Sequence, residues 1–145
     1  MKKLEKNIKE NKSFCVLPFI HFSNRTKGTI RLCCEAEGAA DWTKDDGTAF
    51  NIGTDDFIKD AWNSQYIKDI RQKMVSGEYV EECSKRCYAQ EKLGHKSKRL
   101  RANESWLKKD HIETQIVKTI NNNMVSTGYP KFIDLKLGNL CNMSC

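Results

Sequence analysis

Residues 14–34 read FCVLPFIHFSNRTKGTIRLCC, and the reading of this stretch sets the fold. Phe14 to Leu17 is a short apolar run that stops at Pro18, and Phe19 to Ser23 is a second one. Asn24 to Gly28 collects turn formers, after which Thr29 to Cys33 alternates in the manner of a strand. Glycine at position 28 permits a backbone conformation that side chains resist. The pattern predicts a β-hairpin turning at Asn24–Gly28. Such a hairpin brings Cys15 and Cys33 onto adjacent strands, where two thiols can serve one site.

Upstream, Met1 to Lys12 is polar and lysine-rich, expected to fray, and lacks the apolar core of a secretory signal. Downstream, residues 35–53 are rich in Gly, Asp, Thr and Ala and predict an irregular loop. Residues 55–74 predict helix: Phe57, Ile58, Ala61 and Trp62 share a face, and Tyr66, Ile67, Ile70 and Met74 repeat at helical spacing. Asn63 or Ser64 is placed to cap a second helix within the stretch, and Gly77 ends it. Cys83 and Cys87 follow, then a polar stretch to Asn103. Trp106 to Asn122 predicts an amphipathic helix with Ile112, Ile116 and Ile120 in line and His111 beside them, a half-exposed helix residue rather than a ligand. Asn121 to Asn123 closes it, and Gly128-Tyr129-Pro130 forms a loop. Phe132 to Leu137 predicts a strand with Ile133, Leu135 and Leu137 on one side, before Gly138-Asn139-Leu140 turns the chain into Cys141.

Seven cysteines in 145 residues are the chemical anomaly. The chain is 39% hydrophobic and 30% charged, and no apolar run approaches the ~20 residues of a membrane span. It reads as cytoplasmic, with no membrane partner. Reducing agents there keep thiols unpaired, and an odd count cannot pair completely. Clustered cysteines in that setting point to metal. The net charge of +6 comes from 25 basic and 19 acidic residues, densest at Lys92, Lys96, Lys98, Arg99 and Arg101. That run reads as a solvated helix face; aromatic residues do not interleave with it as a nucleic-acid-stacking surface requires.

The chain closes on IDLKLGNLCNMSC, residues 133–145. Cys141 and Cys145 follow a strand and form a tight loop whose thiolates can converge. This stretch resembles the start of the C-x3-C-x2-C motif at the end of the first barrel strand of radical SAM enzymes. The resemblance implies that Cys141 and Cys145 are the first two ligands of a [4Fe-4S] cluster that binds S-adenosylmethionine. That cluster cleaves its cofactor reductively to methionine and a 5′-deoxyadenosyl radical. The third cysteine, expected three residues after Cys145, is not in this sequence, so the chain reads as an N-terminal fragment that is inactive by itself. No catalytic residue is identifiable beyond the cluster ligands.

Cys15, the twelve residues after it, Gly28, four more and Cys33 are similar to the C-x9–15-G-x4-C signature of SPASM and twitch auxiliary-cluster domains. The likeness extends through Asn51-Ile52-Gly53, Ala61-Trp62-Asn63-Ser64, Ile70-Arg71, Ser76-Gly77-Glu78, and Glu91 to Gly94 with Ser97 and Arg99. It implies that Cys15, Cys33, Cys83 and Cys87 ligate an auxiliary [4Fe-4S] cluster with no open iron, Cys34 being the alternate to Cys33. It also implies an electron donor such as flavodoxin or ferredoxin, and a substrate that is a peptide, a protein or a small molecule. In better-known members the auxiliary domain follows the barrel; here it precedes the barrel strand.

The expected fold is α+β: a flexible N-terminus (1–12), a hairpin-plus-helices auxiliary-cluster module (13–103), a connecting helix (104–128) and the first strand and cluster loop of a partial α/β radical SAM barrel (129–145). Four thiolates also suit a tetrahedral structural zinc ion. The alternative is therefore a non-enzymatic zinc module contacting nucleic acid or an acidic partner. His21, inside the hairpin, is a possible ligand to either metal but reads as a strand residue.

Overall fold

The computed structural model describes residues 3–36 and 40–138. Strands β1 (His21–Asn24) and β2 (Ile30–Arg31) pair antiparallel, with Ser23 opposite Arg31 and Asn24 opposite Ile30. The turn is closed by Arg25 N–H to Thr29 O and Gly28 N–H to Arg25 O, each 2.8 Å. Gly28 sits at φ +92°, and a Cβ there would lie 2.5 Å from Asn51 Oδ1. Both backbone and space demand glycine. The second strand is shorter than its alternation suggested. Its outer edge is taken up by the segment beginning at Ala40: Trp42 N–H donates to Ile30 O, Leu32 N–H to Ala40 O, and Ile30 N–H to Phe50 O, at 2.8–2.9 Å. This segment, expected to be loop, delivers Trp42 into the core. Trp42 is fully buried, with ring centroids 5.8 Å from Phe57 and 6.2 Å from Trp62.

Short helices α1 (Lys6–Glu10) and α2 (Leu17–Ile20) flank Cys15, with Pro18 in the first turn of α2, where its missing N–H costs nothing. The long helix α3 (Gln65–Ser76) buries Ile67, Ile70 and Met74 and ends at Gly77 in the left-handed region, as its periodicity and glycine predict. A single wide turn over Phe57–Ala61 precedes it, so the expected split at Asn63–Ser64 is present. Ile58, expected on the buried face, is 40% exposed because that turn is π-helical and rotates it outward.

After the short helix α4 (Ala89–Lys92) come α5 (Lys98–Trp106) and α6 (Asp110–Asn121). Sequence periodicity gave only the last of these, starting it too early at Trp106. α5 is capped by Ser97, whose Oγ accepts from Leu100 N–H at 3.2 Å. Ile112 and Ile116 of α6 are fully buried, and His111 is exposed. The N-terminal arm does not hang free: Leu4 is buried, its N–H donates to Glu113 Oε1 at 2.9 Å, and Lys9 pairs with the same carboxylate.

Strand β3 (Phe132–Asp134) runs parallel to β1, giving the order β2–β1–β3 with His21, Phe22 and Ser23 beside Phe132, Ile133 and Asp134. The chain is therefore a mixed helix-and-strand fold in which the last strand joins the sheet of the hairpin. Arg71 ties the layers together. Its buried guanidinium donates to the carbonyls of Pro18, Met124 and Trp62 and to Asn63 Oδ1, at 2.9–3.1 Å. Among the described residues no helix is long and apolar enough to cross a membrane.

Candidate metal centre

Three separate segments meet at one pocket. Cys15 enters from the turn before α2, Cys33 from the end of β2, and Cys83 and Cys87 from a tight turn and the wide helical turn that follows it. All four are free thiols and all are buried. Leu17, Pro18, Leu32 and Met74 supply apolar walls, and Lys98 and Arg99 close the remaining side. The spacing of the cysteines anticipates this convergence. Cys34 is half-buried and does not line the pocket: it is a central residue of the turn closed by Ala36 N–H to Cys33 O at 3.2 Å. Cys141 and Cys145 lie outside the described residues.

The segment bearing Cys15 is held from both sides. Asn103 Nδ2 donates to Phe14 O at 2.9 Å, and Asn103 Oδ1 accepts from Val16 N–H at 2.8 Å. Arg99 Nη1 donates to the same Phe14 carbonyl at 2.8 Å. Arg99 is in turn fixed by Glu91, through Nε at 3.0 Å and Nη2 at 2.5 Å, and Glu91 also accepts from Ser97. Ser97 and Glu91 stand in the sequence only as points of family likeness and Asn103 as the end of a polar stretch, while Arg99, expected on a solvated helix face, is buried at 4% exposure by these bonds. The structure makes them the brace of Cys15.

Burial raises all four thiols above their ordinary value of 9.0: Cys33 is pushed up to about 11, Cys15 and Cys83 further, and Cys87 upward too. The thiols also raise one another, the mark of mutual proximity: Cys83 responds to Cys15, Cys33 and Cys87. Opposing this, backbone N–H groups reach three of the sulfurs: Leu17 at Cys15, Glu35 and Ala36 at Cys33, and Arg99 at Cys87. Such donors favour thiolate. The pocket thus disfavours four bare thiolates, yet is wired to stabilise them once a cation is present.

The donor set fits a thiolate-bound metal group. About 10 Å³ stays open within the pocket, the room of one water molecule. Among the described residues no group of three His, Cys, Asp or Glu side chains is arranged to hold a metal ion.

His21 is not at the pocket. It is fully buried in the sheet, its ring 4.7 Å from that of Phe132, and both ring nitrogens lack hydrogen-bond partners. Comparison with known proteins returns no matching family model, curated protein or solved structure.

Proposed function

We propose that Cys15, Cys33, Cys83 and Cys87 hold an auxiliary [4Fe-4S] cluster in the N-terminal part of a radical SAM enzyme. The observation that carries this reading is the convergence of four buried cysteines, from three segments, on one pocket with backbone N–H groups directed at the sulfurs. The likeness of residues 133–145 to a radical SAM cluster loop favours an iron–sulfur cluster here over the single zinc ion that four thiolates would also suit. With all four cysteines engaged, no iron is left open, so the site serves electron transfer or structure.

The cofactor-binding cluster of such an enzyme supplies reductive cleavage of S-adenosylmethionine, and in this reading Cys141 and Cys145 provide its first two ligands. What the described residues contribute is position. β3, the strand leading toward those cysteines, is paired with β1 of the module, and Asn24 fixes its far end: Lys136 N–H donates to Asn24 Oδ1 at 3.0 Å, and Asn24 Nδ2 donates to Lys136 O at 2.8 Å. Ile133, Leu135 and Leu137 are uncovered, at 54%, 51% and 84% exposure. Ile133 lies on β3, and Leu135 and Leu137 on the segment just past it; uncovered apolar residues at a parallel strand favour a place in a larger sheet.

Anaerobic reconstitution with iron and sulfide tests the reading. About four irons and four sulfides per chain, with broad visible absorbance lost in Cys15→Ser, are expected. Uptake of a single zinc with no sulfide overturns it in favour of a zinc module.

A further inference from the structure

Apart from the cysteine pocket there is an open groove of about 450 Å³, lined by Lys12, Ser13, Tyr79, Tyr88, Glu91 and Lys92. Its volume falls in the range of small-molecule sites, which combine aromatic walls with a few polar groups. Tyr79 is 56% exposed, its ring centroid 5.1 Å from that of Tyr88 and tilted by 40°. An aromatic ring held so and left in solvent offers a stacking surface.

The charge of the groove is one-sided. Glu91 spends both oxygens on Arg99 and Ser97. Lys12 and Lys92 are exposed, and neither has an acidic partner among the described residues. The Tyr88 side chain is buried beneath the groove, its hydroxyl near Ser13 and the Val80 backbone. Two ammonium groups without acidic partners among the described residues and one exposed ring thus line the same groove.

We propose that this groove binds a small planar aromatic anion, a ring bearing a phosphate or carboxylate group. The ring stacks on Tyr79, and Lys12 and Lys92 receive the anionic group. The site is independent of what the cysteines hold, so its success or failure does not depend on the metal. It is nonetheless close to them in the chain: Ser13 stands two residues before Cys15, and Tyr88 follows Cys87.

Calorimetric titration of the full chain at low salt decides the matter, using adenosine 5′-monophosphate, benzoate, adenosine and inorganic phosphate as probes. At least one of the two aromatic anions is expected to bind with a Kd below about 1 mM. Adenosine and inorganic phosphate, each carrying half of the recognition, should bind at least about 10-fold more weakly. Tyr79→Ala, and separately the Lys12→Gln/Lys92→Gln pair, should weaken binding about 10-fold with unchanged circular dichroism and melting, both changes being at exposed side chains. Inorganic phosphate binding as tightly as the aromatic anions would reduce the groove to simple charge attraction and overturn the proposal. So would Tyr79→Ala binding like the wild type, or no binding of either aromatic anion.

Discussion

Asn103 straddles Cys15, donating to the carbonyl of the residue before it and accepting from the amide of the residue after it, at 2.9 and 2.8 Å. One side chain from α5 thereby sets the backbone on both sides of a cysteine 88 positions earlier in the chain. Asn103 is 8% exposed, so neither bond is readily replaced by water.

Replacing Asn103 by alanine leaves a buried carbonyl short of one donor and a buried N–H without its acceptor. The expected cost is about 2–3 kcal/mol, seen as a melting point lower by roughly 5–10 °C. Asn103→Asp keeps the acceptor for Val16 but loses the donor to Phe14. It should fall between wild type and alanine in thermal melts, with reduced metal uptake in both variants.

Much of this architecture was legible because it is written in local pattern. Gly28 marks the turn, and the stripes Ile67–Ile70–Met74 and Ile112–Ile116 repeat at the helical period and are buried. Cys15 and Cys33 do line one pocket, although Cys15 stands ahead of α2 and not on a strand of the hairpin as expected. What escaped is held by polar groups whose partners are remote. Arg71 reaches Pro18 and Met124, each 53 residues away, and Arg99 reaches Phe14 across 85; no periodicity records such pairs. Trp42 was hidden in a stretch of Gly, Asp and Thr, although a lone tryptophan there is itself a hint of burial. α5 was hidden by its charges. The Ser97 cap was the available signal for it.

Arg71 gives the strongest stability prediction. Its side chain is fully buried, it has no carboxylate partner among the described residues, and burial alone pulls it down to about 9. Four N–H groups of the planar fork, each on its own oxygen, hold the charge, a geometry that lysine with three donors cannot reproduce. Arg71→Ala leaves those oxygens unpaired and a void behind, so a loss of about 3–5 kcal/mol is expected in denaturant unfolding. Arg71→Lys should recover only part of it.

The two adjacent cysteines make a clean comparison. Cys33 lines the pocket and Cys34 does not. Cys33→Ser should lower iron and sulfide uptake severely, whereas Cys34→Ser should leave stoichiometry and absorbance at wild-type levels. Equal losses in the two variants would mean that both thiols serve the site.

Alkaline pH should separate the empty and metal-loaded forms. Without metal, the folded state keeps Cys33 protonated up to about 11, while an unfolded thiol ionises near 9.0. Above pH 9 the folded state binds more protons than the unfolded one, so stability falls as pH rises through this window. Cys15 and Cys83, shifted further the same way, extend the fall. A bound metal group replaces those protons, and the loaded form should lose the slope. Melting curves at pH 8, 9 and 10 on both forms provide the check, and parallel curves would separate the thiols from the metal.

Acid acts through His21 instead. Its ring is fully buried against Phe132, and burial holds it down to about 4, from an ordinary 6.5. Asp134 pulls it upward, while Lys98 and Arg31 push it down. An unfolded histidine takes up its proton near pH 6.5, so between there and about 4 the unfolded state binds more protons. Stability must drop as pH falls across that interval, by about 2–3 kcal/mol for a shift of this size. His21→Phe preserves the ring contact with Phe132 and removes the titration. Its unfolding free energy should stay flatter from pH 6.5 to 4.5 than that of the wild type, as read by urea titration at each pH. Because β3 is paired with β1 at this residue, the acid-weakened protein should expose the Phe132–Asp134 amides to hydrogen exchange sooner than those of α3. Uniform exchange across the two elements would place the acid sensitivity elsewhere than His21.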